Sequence, residues 1–458
     1  MEATLSIILT IIAVIITARF VLKKFNPSLV FLVSGFIILT ILAVWKGYTP
    51  LGDSTTGSKL LDVFAFAGDA TKKQLSGVGS NLLLVAGYAV FMNHIGATDK
   101  LADTITKPLS RIKNPYIVMF LVFVIGACLK TMITSHIGLV LLLMSSVYPV
   151  LIKLGISPIS AAATLLLTGF LDWGPNDGAV IFAAETVVGM PVVNYVKSYQ
   201  VLPAIITILV TGIVMVIHFK REDEKGINID IDRVEVTSEK LNSESLPRIY
   251  AFLPAIPLLL VVSFSFQKQV KMDVFTANVL GLIIAFIIEG IRTKNCEVIG
   301  EDLKVLFQAM GNSLANIVLL IISASIFAQG LIALGGFNIL AEKLAEFKGA
   351  QLLTVIAFTA LTFFGVIILG NGNATWFSFG PLAANLAPAI GLQAYQLGVP
   401  MQMSASIGRC LSPVAGAVLT TSGLSKITAE DLIKRVSVPI VAGALTNLIA
   451  SYIIHVVL

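Results

Sequence analysis

Long apolar runs recur along the whole chain, and the charged side chains gather in the stretches between them. A helix needs roughly 20 predominantly apolar residues to cross the hydrocarbon core of a bilayer. The runs that approach or exceed this length lie at about 4–22, 29–45, 80–95, 114–152, 157–190, 196–218, 249–266, 272–291, 305–334, 350–393, 398–423 and 436–457. This pattern predicts an all-α polytopic membrane protein. We expect 4–22 to be the first span rather than a signal peptide, because no basic segment precedes it.

The positions of Lys and Arg predict how these segments are oriented, since basic residues accumulate on the cytoplasmic side. Lys23 and Lys24 follow the first span, so we expect the N-terminus to lie outside. A long outer loop is then expected at 46–79. The third span returns to a group of basic residues, Lys100, Lys107, Arg111 and Lys113. The same alternation along the rest of the chain places the C-terminus outside.

Two apolar segments are long enough to enter the membrane and return to the same face. Segment 114–152 begins and ends beside cytoplasmic basic residues, which predicts a re-entrant hairpin with its tip near 128–138. Segment 350–393 begins and ends outside by the same count. It therefore predicts a second re-entrant hairpin that enters from the opposite face, with its tip at LGNGNATWF (369–377).

Each hairpin is followed by a segment that Gly and Pro interrupt, LDWGPNDGAV at 171–180 and GRCLSPVAGAV at 408–418. Interrupted segments in corresponding positions of two halves indicate a transporter with an inverted repeat and a binding site near the membrane midplane. The predicted first repeat, 1–218, contains scaffold spans 1–95, hairpin 114–152, broken helix 157–190 and span 196–218. A cytoplasmic linker follows at 219–248. The predicted second repeat, 249–458, contains scaffold spans 249–334, hairpin 350–393, broken helix 398–423 and span 436–457.

Composition agrees with a membrane location and excludes several functions. Hydrophobic residues make up 56% of the 458 residues and charged residues only 12%, whereas soluble domains have about 25% charged residues. The net charge of +5 reflects the cytoplasmic basic flanks, so no nucleic-acid partner is expected. The three cysteines share no disulfide or metal spacing, and we predict no metal and no cofactor apart from a coupling Na⁺ or H⁺.

Polar groups at the second tip have the chemistry of a ligand site. Irregular backbone at membrane depth is tolerated only where protein buries it or where it lines a cavity. Gly370 and Gly372 allow a turn and a close approach to a ligand, while Asn371, Asn373 and Thr375 offer donors and acceptors. Free N–H groups at helix starts favour an anion.

Ionisable residues inside apolar segments indicate function because burying charge is costly. Arg409 can hold a carboxylate with two hydrogen bonds, or it can pair with Asp172 or Asp177 to hold the fold. These two carboxylates are also candidates for binding Na⁺ or a proton. Lys130 is expected to pair internally or to reach the interface. His136 is either a ligand group or a buried histidine with its own partners.

Several blocks resemble the DcuC family of anaerobic C4-dicarboxylate carriers within the ion transporter superfamily. They are MNHIGATDKLADTITKPLSRIKNPYIVM (92–119), VLLLMSSVYPVLIKLGIS (140–157), FAQGL (327–331), GNGNATWFSF (370–379) and SIGRCLSPVAG (406–416). The resemblance implies a bacterial inner-membrane carrier of succinate, fumarate or malate. It also implies a homodimer in which a mobile part, carrying both hairpins, moves like an elevator against a scaffold.

The resemblance assigns substrate contacts to four segments. Carried over by position, these residues are Thr134, Ser135, His136, Pro175, Asn176, Asp177, Gly372, Asn373, Ala374, Thr375, Gly408, Arg409 and Ser412. His136 departs from the family, whose first tip is serine-rich, and Lys130, Asp172 and Asp177 also look atypical. Another small organic anion, a monocarboxylate or an amino acid therefore stays open as substrate.

The sequence thus predicts a secondary transporter of small dicarboxylates that works by symport with H⁺ or Na⁺ or by exchange. Asp177 is the main candidate for the coupling ion, with Asp172 and Asn371 beside it. The alternative is a cation/proton antiporter built on the two aspartates. An intramembrane enzyme is less favoured, because no catalytic motif is present, and a channel is less favoured because broken helices favour an occluded site.

Overall fold

The computed structural model describes residues 2–23, 25–106, 112, 114–225, 246–265, 272–336, 339 and 349–458. Helices dominate these residues, and no strand occurs among them. The helical segments long and apolar enough to cross a membrane are Pro27–Trp45, Lys59–His94, Val192–Glu224, Val274–Thr293, Cys296–Leu334, Ala350–Leu369 and Ala429–Val457. The prediction of an all-α polytopic membrane protein is confirmed.

The helices of the first half are short where the sequence is interrupted and long elsewhere. In chain order they are α1 (Glu2–Leu22), α2 (Pro27–Trp45), α3 (Lys59–Gln74), α4 (Ser80–His94), α5 (Ala97–Thr106), α6 (Pro115–Leu129), α7 (His136–Ser146), α8 (Tyr148–Lys153), α9 (Pro158–Leu167), α10 (Gly178–Phe182), α11 (Val192–Tyr195) and α12 (Val201–Glu224). Proline opens α2, α6 and α9 behind the side-chain caps Asn26, Asn114 and Ser157. Proline is suited to a helix start because it lacks the N–H that would be left unpaired there.

The second half begins with a 3₁₀ segment at Arg248–Ala255. Its α-helices are α13 (Ile256–Ser265), α14 (Val274–Thr293), α15 (Cys296–Ser313), α16 (Leu319–Leu334), α17 (Ala350–Leu369), α18 (Gly372–Ala389), α19 (Ala394–Ile407), α20 (Gly416–Ser425) and α21 (Ala429–Tyr452). Wider π-type turns join several helices, at Leu75–Gly79, Ala183–Val188, Val196–Gln200 and Leu314–Val318, and a further one, Ile453–Val457, continues α21.

The prediction of an outer loop at 46–79 is wrong for most of this stretch. The chain is helical from Lys59, and it continues through a π-type turn into α4. Scattered charged residues hid this helix from the apolar pattern. One of them, Asp62, is fully buried, and its carboxylate accepts hydrogen bonds from the hydroxyls of Thr49 and Thr55 and from Thr56. A buried carboxylate is tolerable when it is hydrogen-bonded in this way.

Four interruptions occur where the sequence predicted them. Residues 130–135 separate α6 from α7, and residues 370–371 separate α17 from α18. Residues 168–177 separate α9 from α10, and a 3₁₀ turn with an extended stretch at 408–415 separates α19 from α20. The predicted division into two repeats and a linker stays a prediction. The basic residues Lys24, Lys107, Arg111 and Lys113 and the linker residues 226–245 lie outside the described residues, and the described start of the linker, up to Glu224, still belongs to α12.

One large apolar core surrounds the interruptions. Helix α21 packs on α9, α12 and α19, while α18 packs on α16, α17 and α19. Large apolar side chains remain exposed on the outer helices, for example Ile15, Phe364 and Ile449. An exposed apolar surface of this kind suits contact with lipid, and the packed interior holds the interrupted segments at fixed positions.

Candidate functional site

The two breaks and the two tips converge on one polar cluster inside the apolar core. In the first half, the turn after α6 lies on the break at 168–177, and Trp173 Nε1 donates to Ala127 O at 2.8 Å. In the second half, the α17–α18 turn lies on the break at 408–415, since a Cβ on Gly370 would be 2.8 Å from Val414. Arg409 and Asp172 join the two breaks.

Lys130 is the central residue among the cluster residues that belong to the first half of the chain. Its side chain is fully buried, and Nζ lies 2.8 Å from Asp172 Oδ1 and 2.8 Å from Asp177 Oδ2. Asp177 is also the N-cap of α10, because its Oδ1 accepts the N–H of Ala179 at 2.9 Å. The sequence left Lys130 as an internal pair or an interfacial side chain, and the internal pair is confirmed.

Arg409 makes a bidentate ion pair with Asp172. Nη2 donates to Oδ1 at 2.9 Å and Nη1 donates to Oδ2 at 3.1 Å. Nη2 also donates to Gly169 O at 2.9 Å. Of the two uses that the sequence left open for Arg409, the structure has the internal pair. The four charges of Lys130, Arg409, Asp172 and Asp177 balance, as buried charges require.

Side chains also occupy the carbonyl oxygens that the first break frees from helix hydrogen bonding. Gln402 Nε2 donates to Asp172 O at 2.9 Å, and Gln200 Nε2 approaches the same oxygen at 3.4 Å. The two amides are joined by a 2.9 Å hydrogen bond. His136 Nε2 lies 2.8 Å from Leu166 O, so this nitrogen carries a proton, because a carbonyl oxygen only accepts.

The second tip is built for a tight turn against the second break. Gly370 has φ +73°, which glycine adopts without strain. Asn371 caps α18, accepting the N–H of Ala374 at 3.1 Å. At Gly372 a Cβ would lie 2.7 Å from Ala405 O and 3.5 Å from Arg409 Nη1. Only a glycine lets the start of α18 approach the Ala405 carbonyl of α19 this closely.

Four buried polar atoms of the cluster lack a hydrogen-bond partner among the described residues. They are Arg409 Nε, Ser412 Oγ, Asn373 Oδ1 and His136 Nδ1. A buried polar atom without a partner costs about 1–3 kcal/mol. Donors and acceptors are both present in this set, and the first three belong to the second-half tip and break. Each of them therefore has an unused donor or acceptor.

The other residues predicted for the site have local roles in the cluster. Ser135 caps α7 by accepting the N–H of Gly138, and Thr375 donates to Asn371 O at 2.9 Å. Asn176 accepts a 2.9 Å hydrogen bond from Asn278 on α14. Thr134 is partly exposed on the first tip, while Pro175 and Gly408 are buried in the breaks.

Asp172 and Asp177, predicted to bind a coupling ion, have all their carboxylate oxygens engaged by protein donors. Among the described residues, no group of three or more His, Cys, Asp or Glu side chains could hold a metal ion. A coupling function for the two aspartates, or for Asn371, stays a prediction.

Sequence reasoning missed Gln200, Gln402 and Asn278. All three are fully buried or nearly so, and Gln402 and Asn278 lie in largely apolar helices. A lone amide inside an apolar segment is a usable signal, because a buried amide needs a partner. It does not name the partner, which here is up to 230 positions away in the chain.

An all-helical membrane protein whose interrupted helices meet at a buried polar cluster has the architecture of a secondary transporter. The sequence model of the DcuC family, described as C4-dicarboxylate anaerobic carrier, matches residues 5–456. The chain therefore belongs to the DcuC family, and it is a transporter rather than an enzyme.

Similar proteins cover almost the whole chain. The anaerobic C4-dicarboxylate transporter DcuC of Escherichia coli is 27% identical over 448 residues, which is 98% of this chain and 96% of that protein. The probable anaerobic C4-dicarboxylate transporter DcuC of Vibrio cholerae is 29% identical over 457 residues, or 99% of this chain and 98% of that protein.

Solved structures share the fold at low identity. The YdaH transporter of Alcanivorax borkumensis has a TM-score of 0.62 at 15% identity and covers 94% of this chain and 98% of its own. MtrF of Neisseria gonorrhoeae has a TM-score of 0.59 at 14% identity, covering 93% and 94%. At these identities the similarity concerns the fold alone.

Proposed function

We propose that this chain is a secondary active transporter of C4-dicarboxylates such as succinate, fumarate and malate across the bacterial inner membrane. Membership of the DcuC family and the names of its relatives support the substrate class. The observation that carries the proposal is the buried cluster where two tips and two breaks meet, with partnerless donors at Arg409 Nε and the Ser412 hydroxyl.

In this proposal the second-half tip and break bind one carboxylate of the substrate. Arg409 Nε and the Ser412 hydroxyl donate to it, and the Asn373 amide contributes a further hydrogen bond. The start of α18 adds backbone N–H groups and a partial positive charge beside Gly372. Residues of the first half, Thr134, Ser135, His136, Pro175 and Asn176, line the side that receives the other carboxylate, and Ala374, Thr375 and Gly408 shape the backbone of the site.

Arg409 keeps its bond to Asp172 while it contacts the substrate. The Nη groups stay on Asp172 and Gly169 O, and Nε–H remains for a ligand. This arrangement holds the guanidinium in one orientation before the substrate arrives, which reduces the entropy lost on binding.

The transport cycle is proposed to be an elevator-like movement within an inverted repeat. Each half presents a helix–turn–helix followed by an interrupted helix, in the same order. The segment 168–188 meets α14 and α4 through hydrogen bonds from amide groups, Asn278 to Asn176 at 2.9 Å and Asn81 to Glu185 at 2.9 Å. Such contacts separate at lower cost than the buried ion pairs. We further propose a homodimer with both termini outside and transport by cation symport or by exchange.

The first experiment is exchange of labelled succinate into liposomes that hold the purified full-length protein and unlabelled succinate. We expect labelled succinate to be taken up, and unlabelled fumarate and malate to compete with it. A gradient of Na⁺ or of pH should change the uptake rate only if Na⁺ or H⁺ is transported together with the substrate. Competition by acetate or alanine instead of fumarate would replace the substrate class with a monocarboxylate or an amino acid. Proton release driven by Na⁺ without any organic substrate would favour the antiporter.

Single substitutions at the second tip and second break test where the substrate binds. Ser412→Ala and Asn373→Ala are expected to lower exchange at least about tenfold, because each removes a hydrogen bond to a charged ligand. Asn385→Ala lies on the same helix as Asn373 and its amide bonds only Pro381 O, so it is the matched control and should retain exchange. Equal activity of all three variants would contradict this placement of the site.

The elevator is tested by cross-linking. In a chain with Cys128, Cys296 and Cys410 replaced by serine, Asn81→Cys and Glu185→Cys place two thiols where Hg²⁺ can join α4 to the π-type turn after α10. Exchange should stop on cross-linking and return when a thiol removes the mercury. Full exchange in the cross-linked protein would exclude movement between these elements.

A further inference from the structure

The ammonium group of Lys130 occupies a position that has the properties of a cation site. It lies 2.8 Å from one oxygen of Asp172 and 2.8 Å from one oxygen of Asp177, and the side chain is fully buried. Coupling cations of transporters with broken helices bind beside the unwound backbone, where freed carbonyl oxygens and half-helix ends meet. The residues 168–177 form such an unwound stretch.

The remaining oxygen ligands around this position are already engaged. Asp172 Oδ2 accepts from Arg409 Nη1, and Asp177 Oδ1 accepts from the N–H of Ala179. The freed carbonyls of Gly169 and Asp172 accept from Arg409 and Gln402. A sodium ion could enter only by displacing Lys130 from both carboxylates.

A lysine ammonium and a sodium ion carry the same charge, and both are compact. The difference is that the lysine is tethered and cannot be transported. We propose that Lys130 is a built-in cation that takes the place of a coupling Na⁺, so that transport by this chain does not depend on Na⁺. This inference rests on the proposed function, because it specifies the ion dependence of the same dicarboxylate transport.

Asp172 and Asp177 then have a structural function, which is to bind the ammonium group of Lys130. Asp172 carries Arg409 on one side and Lys130 on the other. Lys130 therefore connects the break that holds Arg409 to the start of α10, which Asp177 caps. In a sodium-coupled carrier an ion would make this connection and leave with each cycle. Here the connection is permanent.

The test compares labelled-succinate exchange in NaCl with exchange in choline chloride. The wild-type protein should exchange succinate at the same rate in both salts. Lys130→Ala leaves Asp177 without a cation and Asp172 with Arg409 alone, so its exchange in choline should fall at least about tenfold. Na⁺ or Li⁺ should restore most of this loss. Lys130→Arg should exchange independently of Na⁺, and so should Lys434→Ala, which removes an exposed lysine.

A second variant separates cation replacement from simple damage to the fold. In Lys130→Ala combined with Asp177→Asn, one negative charge is removed together with the lysine. The site for Na⁺ is then incomplete, so Na⁺ should no longer raise exchange above the level in choline. Restoration of this double variant by Na⁺ would contradict the proposed site.

Thermal unfolding of the purified proteins provides a readout that does not depend on transport. A cation that binds only the folded state raises the unfolding midpoint. Na⁺ should raise the midpoint of Lys130→Ala relative to choline and leave that of the wild type unchanged. Sodium-dependent exchange by the wild type, or a sodium-specific rise of its midpoint, would overturn the inference even if Lys130→Ala fails to fold. Absence of diacid exchange by the wild type in either salt would instead overturn the proposed function, and the unfolding midpoints would still decide the inference.

Discussion

Arg409 and Asp172 are 237 positions apart in the chain, yet they form a bidentate ion pair with N···O distances of 2.9 and 3.1 Å. The pair lies inside the apolar core, and the arginine side chain is only 12% exposed. It connects the interrupted segment of the first half directly to that of the second half. Loss of either partner leaves the buried cluster of Lys130, Arg409, Asp172 and Asp177 with one unbalanced charge, which is strongly unfavourable.

We predict that Asp172→Asn and Arg409→Gln each lower the free energy of unfolding by about 3–5 kcal/mol. The double variant should lose less than the sum of the two, because it leaves no isolated charge from this pair. Denaturant unfolding of the purified protein in detergent measures the cycle. Arg409→Lys should not restore stability, since an ammonium cannot reproduce the two parallel hydrogen bonds. Additive losses would show that the two residues stabilise the fold independently.

Gly372 is predicted to be essential because of its close contact with the end of α19. Gly372→Ala places a methyl group 2.7 Å from Ala405 O and 3.5 Å from Arg409 Nη1. Overpacking of this kind costs about 1–3 kcal/mol, and the displaced tip should abolish most succinate exchange. Gly423→Ala is the matched control, because no atom lies within 4 Å of its added Cβ. Its unfolding midpoint and exchange rate should not fall, and a normal rate for Gly372→Ala would contradict the tight approach.

Gln402 is predicted to hold the first break in its shape through Asp172 O. Gln402→Ala removes the 2.9 Å hydrogen bond to this carbonyl and should cost about 1–3 kcal/mol. Gln200 approaches the same oxygen at 3.4 Å and compensates in part, so Gln200→Ala with Gln402→Ala should lose more than the single change. Gln308→Ala, on an exposed position of α15, is the control. A double variant as stable as the wild type would exclude this role for the two amides.

A buried ion pair joins the C-terminal end of α12 to the N-terminal part of α21, and we predict that it stabilises the fold. Arg435 Nη1 lies 2.8 Å from Asp223 Oδ1, and the Ser157 and Ser160 hydroxyls donate to the same carboxylate oxygen. Arg435→Met should lower the free energy of unfolding by about 3–5 kcal/mol, because Asp223 stays buried without its cation. The neighbouring variant Lys434→Met breaks only an exposed pair with Glu430 and should cost less than about 1 kcal/mol. Equal losses in thermal or denaturant unfolding would contradict the difference in burial.

Much of the fold follows from local properties of the chain. Runs of apolar residues, basic flanks and Pro or Gly interruptions act over one or two helical turns, so they predicted the helices and the four interruptions. The failure at 46–79 has a local cause as well. Asp62 and the lysines of α3 lower the apolar content there, and only hydrogen bonds from Thr49 and Thr55 make Asp62 compatible with burial.

The site was predictable in its positions but not in its contacts. Asn371, Asn373 and Arg409 stood out because polar groups inside apolar segments are costly. Their chemistry also allowed each of them to bind a substrate carboxylate directly. In the structure, the two Nη groups of Arg409 bind the carboxylate of Asp172 instead. Nothing in the local sequence distinguishes these two uses of one guanidinium.

The sequence by itself determined the class of the protein, because hydropathy and helix breaking are properties of short segments. The tertiary structure alone decided which charges pair. Lys130 has two carboxylates, Gln402 has a carbonyl in the other half, and Arg409 keeps only Nε without a partner among the described residues. Ion pairs and hydrogen bonds act over about 3 Å in space. Partners more than 200 residues apart meet only when the packed helices bring them together.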